Sequence, residues 1–235
     1  MSTMSGAAKK KARTTGDDGV VLYSYWRSSC SWRVRIALAL KGVDYEYVAV
    51  HLVKDGGEQL KETYAALNPM KEVPTLKVDG HTLTQSLSMI EYLDETRGGV
   101  ALIPADPVTR ARVRAVSETI AQGIQAVQNL RVLLKAMTLV PAEKKSETKM
   151  GWGLHWIQQG FVALERMLES TAGTYCVGDA VTMADLCLVP QVYNARRFKV
   201  DLSAFPIISR IDATLSALPA FVAAHPDQQP DAVVS

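Results

Sequence analysis

The chain has 235 residues, 48% of them hydrophobic and 21% charged, the balance of a globular protein and not of a disordered or fibrous one. Its formal charge of +2 sits within the first 19 residues and leaves a neutral body, which offers no basic face to nucleic acid. No apolar run approaches the ~20 residues of a bilayer-spanning helix, and the opening residues lack the apolar stretch of a secretory signal. The expectation is therefore a cytoplasmic protein with neither nucleic-acid nor membrane partners.

Residues 1–19 are small, polar and aperiodic, and read as a disordered leader; the Lys9 to Arg13 cluster is taken as a solvated tail in preference to a nuclear signal. Val20 to Trp26 is β-branched and aromatic, the profile of a buried strand. Ser28 and Ser29 then open a helix through WRVRIALALKG, closed by Gly42. Tyr45 to Val50 is a second strand, at a spacing that suits a parallel βαβ crossover. Glu58 to Leu67 predicts a short helix stopped by Asn68-Pro69. Val73 to Val78 and His81 to Thr84 flank Asp79-Gly80, a strong hairpin signal, and Ser86 to Arg97 follows as a helix with Ser86 as its N-cap.

This order predicts an α/β domain over residues 20–98 with a mixed four-stranded sheet, then a linker over 99–107 rich in Gly, Pro and Ala. From 108 to 235 the periodicity is helical throughout, the mark of an all-α domain. Val108 to Met137 reads as one long helix and Ser146 to Leu168 as a second. Thr182 to Asp185 has capping-box spacing before an apolar helix, and two short helices begin at Pro206 and Pro219.

The most informative cluster is Ser28-Ser29-Cys30-Ser31-Trp32-Arg33, where a strand gives way to a helix. Unpaired N–H groups and the helix dipole stabilise an anion there, which predicts a lowered pKa for a thiol such as Cys30. Serine capping alone is the plainer reading of the hydroxyls. Arg33 occupies the position of a resolving thiol, so dithiol redox chemistry is disfavoured. The three cysteines, Cys30, Cys176 and Cys187, are far apart and predict neither a disulfide framework nor a metal site. His51, His81, His155 and His225 are scattered without ligand spacing, so no metal is expected. Val73-Pro74 at a strand start fits a cis peptide that exposes a backbone edge, although most such bonds are trans. Gln85-Ser86 opens a helix whose N–H groups could hold a carboxylate.

LYSYWRSSCSWRVRIALALKG, NPMKEVPTLKVDG, QSLSMIEYLDE, GIQxxQNL and GDAVTMADLCLVPQVYNARRF follow one another in the order and spacing of the zeta-class glutathione transferases, which the chain resembles from Val21 to Asp231. The resemblance implies a thioredoxin-like glutathione domain followed by a helical substrate domain, a cytosolic homodimer, and glutathione as cofactor. Ser28, Ser29 and Cys30 would surround the glutathione sulfur. Val73 would pair with the cysteinyl backbone, Gln85 and Ser86 would meet the γ-glutamyl end, and Gln59 would lie near the glycyl end. Gln125 and Asn129, four apart and so on one helix face, would lie near the ligand. Arg33 and Arg197 would line the pocket of a small acidic diketo substrate, with Arg33 also touching glutathione. Arg131 stands where serine is common in the family, which leaves that contact open.

The implied reaction is cis–trans isomerisation of maleylacetoacetate to fumarylacetoacetate in tyrosine and phenylalanine breakdown, by reversible addition of the glutathione thiolate. Transfer to α-halo acids is the implied side activity. The alternatives are a general conjugating transferase, a Cys30-dependent thiol transferase or dehydroascorbate reductase, and a non-enzymatic assembly role.

Overall fold

A computed structural model describes residues 19–233; the leader expected over residues 1–19 lies almost wholly outside them. Four short strands form one mixed sheet in the order β2-β1-β3-β4. They are β1 (Val21–Ser24), β2 (Glu46–Ala49), β3 (Thr75–Val78) and β4 (His81–Thr84). β1 pairs in parallel with β2, Leu22 opposite Tyr47, and antiparallel with β3, Leu22 opposite Leu76. The Asp79-Gly80 turn closes the β3–β4 hairpin, with both residues at positive φ.

Helix α1 (Ser29–Leu40) is the crossover between β1 and β2, and α3 (Ser86–Thr96) follows β4. The segment expected as one helix over Glu58 to Leu67 is a 3-10 turn at Glu58–Leu60 followed by α2 (Glu62–Ala65). Lys61, extended at ψ 145°, separates the two. Nine of the twelve α1 residues are buried, because α1 packs against α3 on one side and against α7 (Met183–Arg197) of the helical layer on the other. A helix wrapped in this way buries its polar side chains too, and both Arg33 and Arg35 are 1% exposed. One continuous hydrophobic core runs from Leu22 and Leu76 in the sheet through α1 to Leu186 and Val192 in α7.

The stretch expected as a linker is held near its middle, at Leu102 and Ile103. Lys41 Nζ meets Asp94 at 2.6 Å, and the same carboxylate accepts from the amides of Leu102 and Ile103. Leu102 is fully buried, and its carbonyl accepts from the amide of Met183 at the start of α7.

The helix expected over Val108 to Met137 is instead broken. It comprises α4 (Pro107–Glu118), a π-helical stretch over Thr119–Gln125, and α5 (Leu130–Met137). Asn129 is extended at ψ 152° and caps α5 through its side chain, which accepts from the Arg131 amide. Trp152 Nε1 donates to the freed carbonyl of Val127. The wide π turn pushes Ile124 against α6 (Lys145–Thr171) at Gly160, where an added Cβ would lie 2.3 Å from Ile124. Thr182 and Asp185 form the expected capping box on α7, and α8 (Pro206–Ser216) and α9 (Pro219–Ala223) follow. Among the described residues no helix is long and apolar enough to cross a membrane.

Candidate active site

The strand β1 ends in a tight turn in which the Ser28 amide donates to the Tyr25 carbonyl at 2.9 Å, and α1 starts immediately after it. Ser28 is the N-cap: its Oγ accepts from the Ser31 amide at 3.2 Å. Capping and ligand chemistry are compatible here, since a hydroxyl that accepts from the backbone keeps its proton to donate outward. Ser29 is buried, and Cys30 is partly exposed.

The lowered pKa expected of Cys30 is not found. Burial pushes the thiol up, and the Arg33 charge and a Ser29 hydrogen bond oppose that only in part.

Arg33, expected to touch glutathione and line the substrate pocket, is buried at 1% exposure. Its Nη1 donates to Ser86 Oγ at 3.3 Å and approaches Cys30 Sγ at 3.9 Å. Nε and Nη2 are buried without a partner, and among the described residues no carboxylate pairs with this guanidinium. A buried, unpaired positive charge is costly and calls for an anion from outside the chain. Ser86, expected as the N-cap, is the first residue of α3, with Gln85 before it at φ +69°. No side chain caps α3 and no acidic residue stands in its first turn, so its N-terminal donors are free for a carboxylate. The strained backbone of Gln85 turns the chain into that position.

Val73 is buried and its bond to Pro74 is cis. Among the described residues neither its amide nor its carbonyl enters a loop or turn hydrogen bond. The segment before it is held rigidly: Glu72 O accepts from Tyr64 Oη and Asn68 Nδ2, both at 2.7 Å, and those side chains also meet Thr75 Oγ1. Sequence reasoning missed Tyr64 and Asn68, although the Asn-Pro step marked the turn.

Arg131 Nε stands 3.0 Å from Glu72 Oε1, so the α5 N-terminus, and Asn129 with it, is tied to the loop carrying Val73. The shared helix face expected for Gln125 and Asn129 does not exist, because the π turn and the break intervene. Gln125 is buried, and neither it nor Gln59 contacts the cluster through a hydrogen bond or ion pair among the described residues. Gln59 donates to the Leu52 carbonyl and keeps Oε1 buried and unpartnered. It folds over Gly57, where φ is +104° and a Cβ would lie 2.6 Å from Nε2.

Arg197, at the end of α7, donates to Asn194 Oδ1 at 3.3 Å. Its pKa is lowered, first by partial burial and next by the charge of Arg27. Arg27 sits in the turn before Ser28, with its guanidinium 5.1 Å from the Trp26 ring. Among the described residues no carboxylate forms an ion pair with either arginine. Arg27 was missed from sequence, though an arginine in the turn that delivers Ser28 was the available signal.

The free donors at α3, the unpartnered Arg33, the open Val73 backbone and the outward proton of Ser28 fit a tripeptide with carboxylates and a thiol. Comparison with known proteins agrees. The glutathione S-transferase N-terminal domain family matches residues 27–96 and the C-terminal domain family residues 128–219. Maleylacetoacetate isomerase of Rattus norvegicus is 58% identical over 211 residues, 90% of this chain and 94% of its own. Among solved structures, a bacterial zeta-class maleyl pyruvate isomerase in its holo form is 43% identical with a TM-score of 0.84, covering 91% of this chain and all of its own. A maleylacetoacetate isomerase from Methylobacterium extorquens AM1, solved with malonate and glutathione, is 39% identical with a TM-score of 0.84 and the same coverage. This chain belongs to the glutathione transferase family, in its zeta class.

Proposed function

We propose that the protein isomerises maleylacetoacetate to fumarylacetoacetate with glutathione as cofactor, as a step of tyrosine and phenylalanine breakdown, in the cytoplasm and as a homodimer. Bound glutathione supplies the nucleophilic sulfur for reversible addition to the cis double bond of the substrate. Residues 20–98 serve as the glutathione domain, residues 99–107 as the linker and residues 108–235 as the substrate domain.

The α3 N-terminus with Ser86, Gln85 and Arg33 takes the γ-glutamyl carboxylate. Val73 pairs with the cysteinyl backbone, and Gln59 reaches the glycyl end. Ser28 donates its free proton to the sulfur and so favours the thiolate, helped by the α1 dipole and by Ser29. Cys30 contributes as a neighbour of that sulfur. Gln125 and Asn129 close the site from the helical side.

One observation carries the choice of substrate: Arg197, at the end of α7, has only the neutral Asn194 Oδ1 as its hydrogen-bond partner, and among the described residues no carboxylate pairs with it or with Arg27 in the turn before Ser28. A diketo dicarboxylate needs both an anchor for its carboxylates and a countercharge for the negative charge that develops on its carbonyl oxygens during addition. The relative that carries both malonate and glutathione supports this reading, as does the name of the rat relative. Side activity on α-halo acids fits the same pair.

The test is spectral: purified protein, glutathione and maleylacetone, a substrate analogue. The expected result is isomerisation without net loss of glutathione. Stoichiometric consumption of glutathione would establish a conjugating transferase in its place.

A further inference from the structure

The turn that delivers Ser28 is held by two residues that have no place in the chemistry above. Asp231, near the far end of the chain, accepts from the Trp26 amide through Oδ2 at 3.0 Å and from Tyr47 Oη through Oδ1 at 2.6 Å. Arg35, buried within α1, donates to the Trp26 carbonyl at 2.9 Å, the Tyr25 carbonyl at 3.4 Å and Ser24 Oγ at 3.2 Å. Its Nε donates to the Ala224 carbonyl behind α9 at 3.1 Å. The Trp26 amide and the Tyr25 and Trp26 carbonyls are thus all occupied by side chains from outside the turn.

We propose that Asp231 and Arg35 are positioning residues for thiol activation: together they clamp the Tyr25–Ser28 turn and set where the Ser28 hydroxyl and the mouth of α1 point. The proposal rests on the reading of Ser28 as the thiolate donor.

The geometry bears on both ends of that role. The Ser28 amide donates to the same Tyr25 carbonyl that Arg35 reaches, so the hydroxyl is one residue removed from the clamped peptide. Among the described residues no carboxylate forms an ion pair with Arg35, and burial pulls its pKa down to about 10 while Tyr47, Tyr45 and Asp231 oppose the fall. A carboxylate that accepts from the Trp26 amide holds the turn more tightly than a neutral acceptor. Tyr47 completes the arrangement by fixing the carboxylate to β2.

The variants are Asp231→Ala, Asp231→Asn and Tyr47→Phe in the full chain. The thiolate of bound glutathione is followed by its ultraviolet absorbance across pH, beside glutathione affinity by calorimetry and turnover of maleylacetone. In Asp231→Ala the pKa of the bound thiol should rise by roughly 0.5 to 1 unit, since it loses part of the serine and helix-terminus stabilisation. Its kcat near neutral pH should fall by ~10-fold or more, because misplacing a catalytic group by about 1 Å can cost ~100-fold. The KM for maleylacetone should change little. Asp231→Asn, which can accept from the Trp26 amide and donate to Tyr47, should recover most of the loss, and Tyr47→Phe should fall between.

An Asp231→Ala protein that melts at lower temperature but keeps the wild-type thiol pKa and kcat per folded molecule would overturn the proposal. If that variant does not fold, the same result in Tyr47→Phe overturns it. A wild-type protein that binds glutathione without lowering its thiol pKa overturns the Ser28 reading and this proposal with it.

Discussion

Replacing Arg33 by Met should weaken glutathione binding while leaving the fold as stable as before or more so. The two effects separate because this guanidinium is buried at 1% exposure, with only Nη1 partnered, by Ser86 Oγ and Cys30 Sγ, and two nitrogens without a partner. In the free protein its removal replaces an unpaired buried charge by an apolar side chain of similar length, a change that is neutral or stabilising in comparable interiors. In the complex it removes a charge-assisted interaction with the γ-glutamyl carboxylate. Such an interaction is worth about 1.5 to 3 kcal/mol, so the glutathione Kd should rise roughly 10- to 150-fold.

Calorimetric titration with glutathione, and with an analogue lacking the γ-glutamyl α-carboxylate, measures both the loss and its origin; thermal unfolding measures the fold. The variant should bind the analogue about as well as the wild type does. Wild-type affinity for glutathione in Arg33→Met, or an equal loss toward the analogue, would refute the placement of this charge beneath the carboxylate.

Ser28→Ala should lower kcat by ~100- to 1,000-fold, the usual cost of one donor to a reacting anion, and also cost ~1 kcal/mol of stability through the lost cap. Near wild-type kcat in Ser28→Ala with an inactive Ser29→Ala would move the role to Ser29. Arg197→Ala and Arg27→Ala should each raise KM for maleylacetone with little change in glutathione affinity. The specificity constant should drop by roughly 10- to 150-fold, and Lys at either position should restore only part of it. Equal loss toward a neutral electrophile would remove the case for an anion site. Because burial raises the Cys30 pKa, its thiolate fraction should grow only above the ordinary thiol range near ~8.5. Alkylation of Cys30 should accordingly be slow at neutral pH and accelerate in alkali, and fast modification at neutral pH would contradict the burial argument.

The α/β half was legible because its signals are local. The β-branched run at Val20, the serine cap before α1, Asp79-Gly80 and the capping box at Thr182 each depend on a few adjacent residues. The break in the second half is tertiary. Gln125 to Gln128 have ordinary helix propensity, and what accompanies the break is a Trp152 hydrogen bond from another helix and the close packing of Ile124 on Gly160. Only Asn129, a good cap before an amphipathic run, hinted at it. The depth of Arg33 was hidden for a related reason. Charged residues are expected at the surface, and nothing within α1 itself says that helices pack on both of its sides.

The clamp on the Tyr25–Ser28 turn has a consequence for how the protein acquires its activity. The sheet pairs strands at most 56 positions apart, Val21 with Lys77, whereas the clamp joins residues separated by 189 positions at Arg35 and Ala224 and by 205 at Trp26 and Asp231. Closing so long a loop gains nothing until both layers are already in place, so it belongs to the last stage of folding. The sheet and helices of a refolding chain will thus form ahead of the competent Ser28 turn, and thiol activation arrives as the final event of folding and not as a property of the first domain.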